Sequence, residues 1–279
     1  MGILSQLQSD PTGAIIAILY QIPAVLIALT LHELAHGYVA LKCGDPTAQM
    51  MGRLSFNPMK HLDPVGTLFM FLFGFGWARA VPVNPRNFKN FRRDDFLVSI
   101  AGVAVNFCLF VFSMLVMTLI HRFMWKEELW AMGEYLPLIT HRDFLSFQGV
   151  NFYFTYSGEG LVAMEMAAEG GVYVDDAINY LSIPWLMYLQ RFFMNFSLVN
   201  LGLCIFNLLP IPPLDGYHVV NDIFLRGKLH IPSRYMNVIM VGLLVIFFAT
   251  NFFSDIVNTA IDFVQNGVLS AILWIFGMG

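Results

Sequence analysis

Charged residues are scarce in this chain. Only 12% of its 279 residues are Asp, Glu, Lys or Arg, whereas 57% are hydrophobic. Because a soluble globular domain carries about 25% charged residues, this composition excludes an ordinary soluble fold and indicates that the main solvent is lipid. The net charge of −4 leaves no basic excess, which argues against a nucleic-acid partner.

Cysteine is also rare, and its spacing excludes two further classes. Cys43, Cys108 and Cys204 lie far apart and form neither a CxxC pair nor a disulfide framework. We expect them to behave as ordinary apolar residues.

Long hydrophobic runs are abundant. A membrane helix needs about 20 largely apolar residues, and four segments meet or approach this length: 14–41, 96–120, 182–209 and 235–253. A fifth, 263–278, is short, and the glycine-rich run at 65–78 favours a re-entrant or interfacial segment. We therefore predict an all-α polytopic membrane protein with four to five transmembrane helices, in which a short β-strand or re-entrant segment lies between helices 1 and 2.

The distribution of positive charge orients these spans. The 42–95 connection is rich in basic residues (Lys42, Arg53, Lys60, Arg79, Arg86, Lys89, Arg92 and Arg93), and 210–234 is also basic. The 121–181 connection is acidic, and its stretch SGEGLVAMEMAAEGGVYVDD predicts a short amphipathic helix. We expect a single membrane domain over 1–279, with 42–95 cytoplasmic and both 121–181 and the N-terminus extracytoplasmic.

The motif HELAH occupies residues 32–36, inside the first hydrophobic run. Positions i and i+4 share a helix face, so His32 and His36 can direct two imidazoles at one Zn²⁺ while Glu33 reaches a water on that metal. Zinc lowers the pKa of its water, and the glutamate takes the proton as a carbonyl is attacked. The alternative is a histidine pair satisfied by neighbouring polar groups, but ionisable residues inside lipid usually have a function.

A catalytic zinc needs a third protein ligand, and Asp215 is the best candidate. It follows the third hydrophobic segment in FNLLPIPPLDG, a turn that cannot continue a regular helix. Spans one and three run in the same direction, which brings Asp215 to the same membrane side as HELAH. The alternative role is a turn or N-cap carboxylate. His218 is a weaker candidate ligand, and His61 with Asp63 is better explained by turn stabilisation.

Several motifs together resemble the site-2 protease family of intramembrane zinc metalloproteases. HELAH and NLLPIPPLDG are accompanied by GDPTAQMMGRLSFNPMKHLDPVGT, WARAVPVNPRNFKN and SIAGVAVN. The resemblance covers residues 28–106 and 195–222, and the order of the motifs is highly specific. Two departures, Gly102-Val103 in place of Gly-Pro and Ala80 in place of proline, concern loop geometry rather than zinc chemistry.

The resemblance implies a three-helix core with one zinc held by His32, His36 and Asp215, and with Glu33 as general base. It also implies that Asn207 and Asn106 handle substrate. Family members cleave transmembrane segments of other proteins, so we expect single-pass membrane proteins as substrates. The chain looks like a minimal form without a PDZ or CBS domain.

A protease must attack an extended peptide, whereas a substrate helix has its amides internally bonded. Strand addition to an edge would accept the unwound backbone, and residues 48–56 and 79–88 are bounded by Gly and Pro in a way that favours a short edge. Packing of the re-entrant segment onto the bundle is an equally good explanation.

Two other functional classes use the same ligands. A metal transporter tends to show paired sites or inverted repeats, which this sequence lacks, and an inactive scaffold should have lost a ligand or the base. Glu33→Gln separates these classes, because only proteolysis requires the carboxylate.

Overall fold

The computed structural model describes residues 11–73, 77–128, 141–147, 153–157, 160–166, 172–175, 181–225 and 252–278, together with 228, 229, 235, 238, 239 and 242. In chain order the helices are α1 (Pro11–Cys43), α2 (Thr47–Met50), α3 (Pro64–Phe73), α4 (Phe91–Met124), α5 (His141–Leu145), α6 (Leu186–Asn207), α7 (Asp215–Ile223) and α8 (Phe252–Phe276).

Four of the described helices are long and apolar enough to cross a membrane: α1, α4, α6 and α8. The chain is therefore a multi-pass membrane protein, and the predicted helical fold class is confirmed. The segment 263–278, expected to be short, is part of the 25-residue helix α8 that starts at Phe252, which is long enough to span. The predicted span 235–253 lies mostly outside the described residues.

Helices α1, α4 and α6 pack together in a fixed relative direction. Ala24 and Ala28 of α1 pack with Phe196 of α6, and Val25 and Leu29 pack with Val199 and Leu203. Asp215, which follows the end of α6, lies 3.4 Å from His32 and His36, which are further along α1. Both helices therefore run toward the same end of the bundle and are parallel, as the sequence predicts. Helix α4 runs the opposite way, since Leu109 packs near Ala24 and Ala28 whereas Val98 contacts His36.

The largest apolar cluster among the described residues joins α4, α6 and α8. Phe110 and Met114 pack with Leu201 of α6 and with Leu269 and Leu273 of α8. This packing holds α6 firmly against α4, so the end of α6 and the loop that follows it have a defined position relative to α1.

The 42–95 connection is built from short helical turns. Besides α2 and α3 it contains 3₁₀ turns at Pro58–Lys60 and Pro85–Asn87, and its one strand-like pairing among the described residues is an isolated bridge between Leu62 and Ala78. The predicted regular strand is thus not confirmed there, since repeated prolines cannot donate to a ladder. The re-entrant alternative fits α3, whose start is stabilised by Asp63 accepting a hydrogen bond from Gly66 N at 2.8 Å.

The 121–181 connection contains a small antiparallel sheet. Its strands are β1 (Tyr153–Ser157), β2 (Gly160–Met166) and β3 (Val172–Asp175), in the order β1-β2-β3. The expected amphipathic helix within 157–176 is therefore wrong. Aromatic and β-branched residues in YFTYS and VYVD favour strands, and this local preference outweighs the Gly- and Ala-rich composition between them.

Candidate metal centre

Helix α1 presents the HELAH side chains toward the interior of the bundle. His32, Glu33 and His36 are 6%, 7% and 9% exposed, although all three carry polar groups that are costly to bury. One helical turn separates the histidines, and their Nε2 atoms lie 3.0 Å apart. The two imidazoles thus converge on one point.

Asp215 reaches the same point from a different part of the chain. It is the first residue of α7, preceded by the extended residue Leu214, so it follows the turn rather than capping the helix. Its Oδ2 atom lies 3.4 Å from Nε2 of His32 and 3.4 Å from Nε2 of His36. Gly216 allows this arrangement, because any Cβ there would collide with the carbonyl oxygen of Leu208.

The three ligand atoms fit a zinc ion. A tetrahedral zinc with bonds of about 2.0–2.1 Å has neighbouring ligand atoms about 3.3–3.4 Å apart, close to the separations of 3.0, 3.4 and 3.4 Å found here. Asp215 Oδ2 is buried and has no hydrogen-bond partner within the described part of the chain, as expected of an oxygen that faces a cation. A His₂Asp set is also a donor combination that zinc accepts.

Electrostatics keep Asp215 ionised. Burial raises the pKa of its carboxyl, but the neighbouring imidazoles of His32 and His36 outweigh this effect and hold the pKa well below its usual range. The carboxylate is therefore available as an anionic ligand.

A hydrogen bond fixes the tautomer of His36. Its Nδ1 lies 2.7 Å from the carbonyl oxygen of Val98. Since a carbonyl only accepts, Nδ1 carries the proton and Nε2 keeps a free lone pair toward the metal position, which is the usual support of a metal-binding histidine.

Glu33 lies beside the ligands but has a different partner. Its Oε2 accepts a hydrogen bond of 2.7 Å from the backbone N–H of Val81. Val81 and Val98 were not found by sequence reasoning, because each contributes a backbone group that every non-proline residue possesses.

The two asparagines implied by the resemblance lie in different environments. Asn106 is fully buried, and neither amide atom has a hydrogen-bond partner among the described residues. It lies one turn beyond Gly102, which contacts the histidines. Asn207, at the end of α6, is partly exposed and donates to the carbonyl oxygen of Leu203 at 3.0 Å.

The remaining polar candidates are not in the cluster. His61 is buried, and its Nε2 lies 2.7 Å from the carbonyl oxygen of Ser55, which agrees with the expected turn-stabilising role. His218 pairs with Asp95, Nδ1 to Oδ2, at 3.1 Å and is absent from the group His32, His36 and Asp215, whose ligand atoms all lie within 4.8 Å of one another.

Comparison with known proteins decides the family. The model of peptidase family M50 matches residues 20–249, a range that includes all three candidate ligands. The chain belongs to peptidase family M50. It is thus a membrane zinc metallopeptidase of the site-2 protease type, and the resemblance drawn from its motifs is confirmed.

A curated relative agrees with this membership of family M50. The chain is 34% identical over 229 residues to the Bacillus subtilis (strain 168) protein named "Putative zinc metalloprotease YwhC", and the match covers 81% of this chain and 80% of the relative. No solved structure shows a significant match to the chain.

Proposed function

We propose that this M50 peptidase hydrolyses peptide bonds in or near the transmembrane segments of single-pass membrane proteins, acting as one intramembrane domain. The observation that carries the proposal is the buried group of His32, His36 and Asp215 with Glu33 beside it, on a helix long enough to span a membrane. Basic residues in 42–95 favour a site toward the cytoplasmic side, with the N-terminus and 121–181 on the other side.

In this proposal His32, His36 and Asp215 hold a single zinc ion. Zinc supplies a Lewis acid that makes a water molecule acidic near neutral pH and polarises a carbonyl. Val98 keeps His36 in the tautomer that can bind metal, and the ionised Asp215 offsets part of the metal's charge.

Glu33 acts as the general base. Its carboxylate takes a proton from the attacking water and then delivers it to the amine that leaves the cleaved bond, so the proton count balances over one turnover. Asn207 is partly exposed and donates to Leu203 of its own helix, so its amide oxygen can accept a hydrogen bond from substrate. Asn106 requires a local opening before it can contact substrate, because it is fully buried.

The test is Glu33→Gln, which keeps the size of the side chain and removes the base. Single-pass proteins that stay bound to this variant in membranes are first identified. The unmodified enzyme and the variant are then compared in reconstituted vesicles, where cleavage of such a transmembrane segment and the zinc content of each enzyme are measured. Loss of a general base predicts a decrease in rate of about 10²- to 10⁴-fold with zinc retained.

Glu128→Gln is the matched control, because it makes the same substitution at an exposed residue. Glu128 lies just beyond the C-terminal end of α4, whereas the candidate site contacts the N-terminal half of that helix. This control should cleave at the normal rate. Cleavage by Glu33→Gln at the rate of the unmodified enzyme would exclude proteolysis by this site and favour a scaffold or transporter.

A further inference from the structure

We propose that the backbone N–H of Val81 positions the carboxylate of Glu33, and that Arg53 and Asp45 hold Val81 at the distance this requires. Val81 is a positioning residue in this scheme, since it acts on the reaction through Glu33. The inference rests on the function proposed above for Glu33. It adds that the orientation of Glu33 depends on a loop that is far from it in sequence.

The contact between Glu33 and Val81 is short and protected. The N–H of Val81 donates to Glu33 Oε2 over 2.7 Å, and both residues are 7% exposed. Hydrogen bonds to ionised groups are about twice as strong as neutral ones. An otherwise flexible glutamate side chain therefore has one oxygen anchored, which limits the directions available to the other oxygen.

A missing side chain on α1 allows Val81 to approach. Gly37 lies one turn after Glu33 on the same face, and a Cβ there would come within 2.6 Å of Leu54 Cδ2 and 3.0 Å of Val81 Cγ1. The face of α1 that carries Glu33 thus packs against the 48–54 and 79–83 segments, whereas the face that carries the histidines packs against α4.

The chain before Val81 is held by Arg53. Its Nη2 atom donates to the carbonyl oxygen of Arg79 at 2.7 Å and lies 3.3 Å from that of Ala80. The N–H of Arg79 in turn donates to the carbonyl oxygen of His61 at 2.8 Å. These bonds fix the backbone immediately before the N–H that contacts Glu33.

The chain after Val81 is held by Asp45. This carboxylate is fully buried; its Oδ2 accepts from Asn84 N at 2.7 Å, and its Oδ1 accepts from Asn87 Nδ2 at 2.7 Å. Burial raises the pKa of Asp45, but the hydrogen bonds from Thr47, Asn84 and Asn87 reverse the shift and leave the pKa below its usual value. Asp45 therefore remains an acceptor at neutral pH.

These contacts make the 79–84 segment a rigid support for the base. Three anchors act within six residues: Arg53 on Arg79, Glu33 on Val81 and Asp45 on Asn84. Displacement of this segment changes the orientation of Glu33 without touching the metal ligands. The scheme thus predicts a change in kcat that is separate from zinc binding.

The decisive variant is Val81→Pro, which removes the N–H. Loss of a hydrogen bond to a charged group predicts a decrease in kcat of about ten- to a hundredfold, with zinc content and KM close to normal. Val81→Ala trims the same side chain but keeps the N–H, so its kcat should be at least about tenfold above that of Val81→Pro. The substrate is the single-pass segment trapped by Glu33→Gln.

Arg53→Met provides a second test that does not alter the Val81 backbone itself, in case Val81→Pro fails to fold. It should lower kcat with zinc retained, whereas Arg86→Met, which removes an exposed charge from the same connection, should not. Equal kcat for Val81→Pro and Val81→Ala, or a higher kcat for Val81→Pro, would overturn the positioning role. An active Glu33→Gln would instead overturn the proposed function, so the two failures are distinguishable.

Discussion

Gly102 of α4 lies directly against His36. A Cβ at this position would be 2.5 Å from His36 Nε2 and 2.6 Å from His32 Cε1. Both distances are too short for a non-bonded contact with a methyl carbon. One turn earlier on the same helix, the carbonyl oxygen of Val98 accepts the Nδ1 proton of His36. Helix α4 therefore shapes the proposed metal centre, although none of the three proposed ligands lies on it.

We expect Gly102→Ala to damage zinc binding rather than folding alone. The added methyl displaces both imidazoles, and changes around metal ligands typically cost 10- to 100-fold in affinity. Competition with a zinc-sensitive dye in detergent measures this loss. Gly202→Ala is the matched control, since among the described residues no heavy atom outside the local helix backbone lies within 4 Å of a Cβ at that position in α6. Equal zinc affinity for the two variants would contradict the close packing described.

Asp215→Asn should release zinc from the folded protein. The substitution preserves size but removes the negative charge that faces His32 and His36 at 3.4 Å, and an amide oxygen is a much poorer zinc ligand. We predict a decrease from about one zinc per chain to near zero, measured by atomic absorption. Asp255→Asn, at an exposed position in α8, should keep its zinc. Full zinc content in Asp215→Asn would remove Asp215 from the ligand set.

The sequence predicts the parts of the site that depend on local spacing. His32 and His36 are recognisable because a helix places positions i and i+4 together, and Asp215 because a proline-rich turn follows a span parallel to α1. Val98, Val81 and Gly102 act through a carbonyl, an N–H and an absent side chain. Such contributions have no residue-type signature, and they become visible only when packing brings distant segments together.

The fold shows the same division between local and long-range information. Long apolar runs predict α1, α4 and α6 because a membrane helix needs only composition and length. The 42–95 and 121–181 connections were less predictable: short strands and turns depend on pairing partners, so a helix was expected where β2 and β3 form. The hydrophobic pattern also does not predict the start of α8 at Phe252, because the polar residues Asn251, Ser254 and Asp255 interrupt it.

The stability of the α4–α7 contact should depend on pH. His218 pairs with Asp95 at 3.1 Å, and Asp222 and Asp215 on α7 and Arg92 on α4 also face this region. The hydrogen bond to Asp95 raises the pKa of His218 despite burial. Burial, together with the charge of Asp95, raises the pKa of Asp222 to about 6. Groups with raised pKa values stabilise the fold below their unfolded pKa values, and this stabilisation is lost as pH rises.

We therefore predict that the melting temperature in detergent falls as pH rises from about 5.5 to 8.5, first through the titration of Asp222 and then through that of His218. Asp95→Asn should flatten this dependence because it removes the partner of both groups. Asp94→Asn changes the neighbouring buried carboxylate, which accepts from Asn90 N at the start of α4. It should lower the melting temperature through the loss of this hydrogen bond, and it leaves the pair of His218 and Asp95 intact. An unchanged slope in Asp95→Asn would show that the pH dependence arises elsewhere.

The orientation of α4 tests the proposed topology directly. Lys89 and Glu127 are exposed residues just outside the two ends of this 34-residue helix, which is about 50 Å long. They must therefore lie on opposite sides of a bilayer whose hydrocarbon core is about 30 Å thick. Positive charge in 42–95 predicts that Lys89 lies on the cytoplasmic side.

After Cys43, Cys108 and Cys204 are replaced by serine, Glu127→Cys should react with a membrane-impermeant maleimide in intact cells, and Lys89→Cys should react only after permeabilisation. The reverse result would place Asp215 and the HELAH motif toward the extracytoplasmic side, because α4 joins the metal centre at its Lys89 end through Val98 and Gly102. The same pair of variants thus reports the side of the membrane from which water and substrate reach the metal centre.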